Sequence, residues 1–313
     1  MMDVNISQAL DLFLNDAERS ILLGQFPNGI VAIDLETTGI SPLVDKIIEI
    51  AAIKFTPQGV SSFETLINPE IDIPAFTTDI HGITDAMVKD QPVICEVLPQ
   101  FADFIGDLPL VAHNAKFDLG FLVFDYHQLK MPLPRSQVVC SCLAARKSLR
   151  QVENHKLGTL CRELNIPLIN HHRASDDAWA SLSVLAKSLV AQKEHAGKVH
   201  LGDALMFKAK DFEKNKDMEI PTHLRILTKK VRDKHVIDIK YKGGSSRRGE
   251  YRPVRALSLL PMPGGNVLYA HCLLSDMMKS FSLKKITDVR DLDSEEIRDR
   301  LAHFETIKKD RSK

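Results

Sequence analysis

The chain has 313 residues, 44% of them hydrophobic, enough for a buried core and more than one average domain needs, so two domains are expected. Its formal net charge is zero, yet residues 1–220 carry 20 Lys and Arg against 29 Asp and Glu (−9), whereas residues 221–313 carry 21 against 12 (+9). Five cysteines with no CxxC pair argue against a disulfide scaffold or structural zinc, the acidic start lacks the basic segment of a signal peptide, and no apolar run reaches the roughly 18 residues of a membrane span; a soluble, cytoplasmic protein without a membrane partner is expected.

Residues 5–23 place Ile6, Leu10, Phe13, Leu14, Ile21 and Leu22 at helical spacing, which predicts one amphipathic helix ending near Gly24 and an N-terminal segment over 1–29. Three β-rich runs follow, IVAIDLE (30–36), KIIEIAAIKF (46–55) and SSFETLI (61–67), separated by Gly, Pro and Asp turns, a three-strand meander. A helix at 92–106, a strand at 108–114, a helix at 116–129, a strand near 137–140 and helices near 142–149 and 156–164 then predict an α/β domain with a mixed sheet over 30–195. A last helix starts near Ser175. The charged stretch 196–220 reads as a linker, residues 221–293 as a short helix and β-like runs, and 294–313 as a charged helical tail.

Asp34 and Glu36 stand two apart at the end of an apolar strand, and the period of a strand sends both to one face. Paired carboxylates suit divalent ions, and phosphodiester hydrolysis is served by two such ions about 3.5–4 Å apart. The segment HNAKFDLGFL (113–122) ends a strand and starts a helix with Asp118 in its first turn, where the helix dipole favours a carboxylate. In HHRASDDAW (171–179) histidine precedes two aspartates, and a histidine with a pKa of about 6.5 accepts a proton from water near neutral pH.

The segments IVAIDLETTG, HGIT (81–84), HNAKFDLGFL and HHRASDDA stand in the order and spacing of the DEDDh exonuclease superfamily. The chain resembles its epsilon-type (DnaQ-like) proofreading exonucleases and the exonuclease module of Gram-positive replicative polymerases. The resemblance implies a ribonuclease-H-like fold, with a mixed five-stranded sheet flanked by helices. It also implies two Mg²⁺ (or Mn²⁺) ions and single-stranded nucleic acid with a free 3′ end as substrate. Asp34, Glu36 and Asp177 would ligate the tighter ion, Asp34 would bridge to the second, Asp118 would support that one through water, and His172 would be the general base. The family's spacing, His, four residues, then Asp, selects His172 and Asp177 over His171 and Asp176. Thr37, Thr38, Gly39, His81, Asn114 and Phe117 would approach the terminal nucleotide. Where the family often has Ile-Asp-Thr this chain has Val139-Cys140-Ser141, and Cys140 and Cys142 read as small buried residues.

Residues 221–290 resemble the WYL domain, a small Sm/SH3-like barrel, through NVLYAHCLLSDMMKSFSLKKI (266–286). The naming triad reads Asn266-Val267-Leu268 here, and basic positions of the second segment read Lys279, Ser282 and Lys285. Such domains sense ligands or hold single-stranded nucleic acid, so Arg247, Arg248, Arg252, Arg255, Lys279, Lys284 and Lys285 are candidate phosphate contacts, with a small ligand as the other occupant. Gln8–Phe13 is similar to the short sliding-clamp-binding peptide of bacterial replication proteins, but the same residues fit the amphipathic helix, which is the reading taken. The expectation is a 3′→5′ exonuclease on single-stranded DNA in repair or processing. Its rivals are an exoribonuclease, a regulator that binds ends without turnover, and a polymerase proofreading subunit.

Overall fold

A computed structural model describes residues 6–168, 173–202, 206–208, 211, 219–243, 248–262 and 264–311. The chain divides into two units, Met1–Gly39 with Lys46–Lys210, and Ile40–Asp45 with Asp211–Lys313.

In the first unit, α1 (Ile6–Phe13) and α2 (Asp16–Gln25) stand where one helix is expected. Asn15 causes the break. Its backbone is extended, its side-chain oxygen accepts the Glu18 N–H at 3.0 Å, and Glu18 Oε2 accepts the Asn15 N–H at 3.0 Å, the reciprocal cap that opens a new helix. The meander follows as expected, β1 (Ile30–Thr37), β2 (Ile47–Thr56) and β3 (Gly59–Leu66). Two short helices not read from the sequence, α3 (Ala75–His81) and α4 (Asp85–Val88), precede α5 (Ile94–Ile105). Then come β4 (Leu110–Ala112), α6 (Lys116–Gln128), β5 (Gln137–Cys140), α7 (Ser141–Ser148), α8 (Leu157–Glu163) and α9 (Ala174–Ala196).

The sheet order is β3-β2-β1-β4-β5-β6, with β4 parallel to both β1 and β5. All five expected strands are present. The sixth, β6 (Met206–Lys208), runs antiparallel to β5 and comes from the stretch expected to be a linker. One sheet face is covered by α9: Ile30, Ala32, Ile53, Phe55, Val111 and Val139 share a buried cluster with Ala178, Leu182, Leu185 and Leu189. Each large side chain so buried contributes about 1.5–3 kcal/mol. Phe13 of α1 stacks on Trp179 of α9 at 5.2 Å and 9°, and the Ser183 hydroxyl donates to the Phe13 carbonyl at 2.9 Å. Because Ile30 and Ala32 face α9, the period of the strand carries Asp34 and Glu36 to that same face at the end of β1.

In the second unit, a 3₁₀ turn (Thr222–Leu224) leads into α10 (Ile226–Arg232). Five antiparallel strands follow, β7 (Val236–Tyr241), β8 (Tyr251–Leu260), β9 (Val267–Cys272), β10 (Met277–Ser282) and β11 (Ile286–Asp291), in the order β10-β9-β8-β7-β11. The two edge strands β10 and β11 are consecutive in the chain, joined only by the 3₁₀ turn Leu283–Lys285. The final helix α11 (Ser294–Arg311) packs through Phe304 on Val236, Leu273 and Leu292. Asp238, wholly buried, ties it down by accepting from Arg290 at 2.7 Å and Arg300 at 2.9 Å. Among the described residues, no helix is long and apolar enough to cross a membrane.

Candidate active site

Three elements converge at the end of β1. The strand itself supplies Asp34 and Glu36. Asn114, in the left-handed region at φ 63°, turns the chain from β4 into α6, whose first turn supplies the buried Asp118. The first turn of α9 supplies Asp177, also buried. One carboxylate oxygen each from Asp34, Glu36 and Asp177 lies within 4.8 Å of the others, so the structure brings Asp177 into the cluster. Asp118 stands outside that triad but acts on it electrostatically.

Burial, then the charges of Asp118, Asp177, Glu36 and Glu49, holds Asp34 well above the usual carboxylate range. Burial is also the main cause that pushes Glu36 up to about 9, with Asp177, Glu49 and Asp118 adding to it and Arg173 opposing. Asp118 is pushed up to about 7, again mainly by burial, while backbone N–H groups of Asp118 and Leu35 hold it lower. Acids so close cannot all ionise unless a cation lies among them. Clustered, partly enclosed carboxylate oxygens are the donors that Mg²⁺ and Mn²⁺ take, and the residues present fit such an ion.

Glu49 on β2 is a fifth acid that the sequence reading missed. It is the cross-strand partner of Glu36, fully buried, and it accepts from Arg173 and from the Ala174 N–H. A lone Glu amid IIEIAAI, at a position where the strand is otherwise apolar, was the available signal.

A family model described as Exonuclease, of the RNase T type, matches residues 31–185. Residues 31–185 belong to this exonuclease family. Relatives include the DNA polymerase III PolC-type of Caldanaerobacter subterraneus subsp. tengcongensis, 37% identical over 190 residues, which are 60% of this chain and 13% of that protein. The DNA polymerase III PolC-type of Clostridium perfringens is 41% identical over 170 residues, 54% of this chain and 12% of that protein. The chain thus matches about an eighth of the length of these relatives. E. coli exonuclease I, solved with a dT13 oligonucleotide, is similar in fold at 14% identity and a TM-score of 0.50, over 90% of this chain and 71% of that one.

Within the exonuclease domain, His172 lies outside the described residues, as does His171. The Thr37 hydroxyl is turned inward and donates to the Gly39 carbonyl at 2.5 Å, and the Thr38 hydroxyl accepts the Lys46 N–H at 2.9 Å. Both therefore brace the loop after β1. His81 is buried, its Nδ1 accepting the Ile83 N–H at 3.0 Å. Asn114 is exposed and Phe117 half-buried, tilted on Phe121 at 5.2 Å. His113, also unremarked in the sequence, is held down at about 4, mainly by burial, and its ring bridges the Ser141 hydroxyl at 2.9 Å and the His155 carbonyl at 3.0 Å.

In the second unit, Arg248, Arg255, Lys284 and Lys285 are exposed and Lys279 is half-buried, while Arg247 lies outside the described residues. Arg252 departs from the expected surface role. It is buried, with its guanidinium 5.7 Å from the ring centres of Tyr241 and Phe281.

Proposed function

We propose that the chain is a divalent-metal-dependent 3′→5′ exonuclease that removes nucleoside 5′-monophosphates from single-stranded DNA ends, in repair or processing. The observation that carries the reading is the Asp34, Glu36 and Asp177 triad within an exonuclease-family domain. The DNA polymerase relatives at 37% and 41% identity favour DNA over RNA.

Asp34, Glu36 and Asp177 would hold one ion, and Asp34 and Asp118 would serve a second, Asp118 through water. Such ions supply, when bound, charge stabilisation at the scissile phosphate and a more acidic water. His172 takes the proton of the attacking water. The water oxygen bonds to phosphorus, the bond from phosphorus to the 3′ oxygen breaks, and that oxygen takes a proton from solvent and stays on the shortened strand as its 3′ hydroxyl. Asn114 and Phe117 offer a polar group and a ring to the terminal nucleotide. Thr37, Thr38 and Gly39 present backbone shaped by their own internal hydrogen bonds, and the buried His81 acts by holding its turn.

For the second unit we propose an Sm/SH3-like, WYL-like barrel that holds single-stranded nucleic acid. Its closure is supported by chain length: Ser282 to Ile286 spans at most ~14 Å, whereas the edges of a flat five-stranded sheet lie ~19 Å apart. The exposed Arg248, Arg255, Lys284 and Lys285 would contact phosphates without reading sequence.

Competition between labelled single-stranded DNA and RNA of one sequence, in Mg²⁺, tests the reading. Release of 5′-dNMP from the 3′ end with DNA preferred supports it. Release of 5′-NMP from RNA alone would replace the sugar, and binding of ends with no product would replace the enzyme with an end-binding regulator.

A further inference from the structure

Glu49 lies beside the acidic triad but is not disposed as a metal ligand. Its Oε1 accepts from Arg173 Nε at 3.1 Å and from the Arg173 terminal nitrogen at 2.6 Å. Its Oε2 accepts from the same Nε at 3.3 Å and from the Ala174 N–H at 3.0 Å. Both oxygens are thereby committed to donors, and neither belongs to the close set formed by Asp34, Glu36 and Asp177.

The donors are the first residues of α9. Ala174 is its first helical residue, the N-cap Arg173 makes no side-chain cap, and the Arg173 carbonyl accepts the Asp177 N–H at 3.1 Å. A helix start leaves backbone N–H groups unpaired and carries partial positive charge, and here a carboxylate from the neighbouring strand satisfies it. Arg173 also reaches Glu64 on β3 at 3.6 Å. The first turn of α9 is therefore pinned to two strands of the sheet.

We infer that Glu49 and Arg173 are positioning residues of the nuclease centre, anchoring the first turn of α9 so that Asp177 is held against Asp34 and Glu36. The inference rests on the reading of that centre as a divalent-metal site. Like charges drive Asp177 away from Asp34 and Glu36, and helix ends open more easily than helix centres. The anchor opposes both. It needs a planar fork that donates through two nitrogens, which a lysine does not provide.

The test uses the full chain with Glu49→Gln, Arg173→Lys, Asp34→Asn and, as a control, Glu153→Gln, which removes the exposed partner of Arg162. Mn²⁺ binding is measured by calorimetry without nucleic acid, kcat and KM on a labelled single-stranded oligonucleotide, and thermal midpoints in EDTA. Residues that orient metal ligands typically set about 10- to 100-fold of affinity or rate. Losses of about that size in Mn²⁺ affinity and kcat, with KM and the Glu153→Gln control unchanged, are expected for Glu49→Gln and Arg173→Lys. Arg173 is partly exposed, so its lysine variant carries the test if Glu49→Gln fails to fold. Wild-type Mn²⁺ affinity and kcat in Arg173→Lys, with or without a lower thermal midpoint, overturn the inference. If instead wild type binds no Mn²⁺, or Asp34→Asn binds it equally well, the metal-site reading itself falls whatever the anchor variants do.

Discussion

Replacing Glu36 with glutamine should stabilise the metal-free first unit while abolishing hydrolysis. Burial and the neighbouring acids push Glu36 from its ordinary 4.5 to about 9. A carboxylate whose folded pKa is raised contributes stability that is present below its unfolded value and is lost as pH rises toward the folded one. At pH 7 the folded state retains a proton that the unfolded chain has released about 2.5 units earlier, a cost of ~3 kcal/mol at ~1.4 kcal/mol per unit. Glutamine has no ionisation to suppress and recovers up to that amount. At ~2–4 °C per kcal/mol for a unit of roughly 150–250 residues, the midpoint rises by about 6–12 °C. Thermal unfolding by circular dichroism in EDTA, from pH 5 to pH 9, reads it directly. The gap between variant and wild type widens with pH, and excess Mg²⁺ closes it by stabilising the wild type alone through mass action. A variant melting at or below wild type in EDTA at pH 8 would refute the raised Glu36 value, set first by burial and then by the neighbouring acids, on which the expected gain rests.

Four further outcomes are expected. His113 is held down at about 4 by burial, a depressed value whose stability is present above about 6.5 and lost as pH falls toward 4. His113→Gln therefore flattens the acid limb of the midpoint–pH curve, and at neutral pH costs about 1–3 kcal/mol for the Ser141 and His155 hydrogen bonds. Asn15→Ala removes the reciprocal cap with Glu18 and costs about 1 kcal/mol, read from the denaturant midpoint, with unchanged turnover per folded molecule. Lys284→Ala with Lys285→Ala lowers the salt slope of single-strand binding by roughly 1.4 at constant thermal midpoint, whereas Arg252→Ala, which empties the space beside Tyr241 and Phe281, lowers the midpoint itself.

The acidic centre was legible because its residues sit on short, local signals. Asp34 and Glu36 share a strand face by period alone, whereas the choice of Asp177 over Asp176 came from the family resemblance; it is the Asp177 carboxylate that stands with those of Asp34 and Glu36. Glu49 escaped because its meaning is non-local: it becomes part of the site only through a cross-strand register and a helix 125 residues further along. The break between α1 and α2 could have been read from Asn15-Asp16-Ala17-Glu18, a cap signature masked by the apolar spacing that runs through it. Strand β6 could not, since Met206–Lys208 is too short for any period and pairs only because β5 offers an edge. Arg252 was grouped with the surface cations by charge, and only the fold shows its guanidinium buried beside the Tyr241 and Phe281 rings.

The most direct test of the acidic centre as a metal-dependent exonuclease site is a time course on 5′-labelled single-stranded DNA with wild type, Asp34→Asn and Asp177→Asn, each in Mn²⁺ and in EDTA. A ladder shortening from the 3′ end by single nucleotides is expected in wild type with Mn²⁺ only, and none in either variant. Shortening that persists in EDTA, or in Asp177→Asn at the wild-type rate, would contradict it.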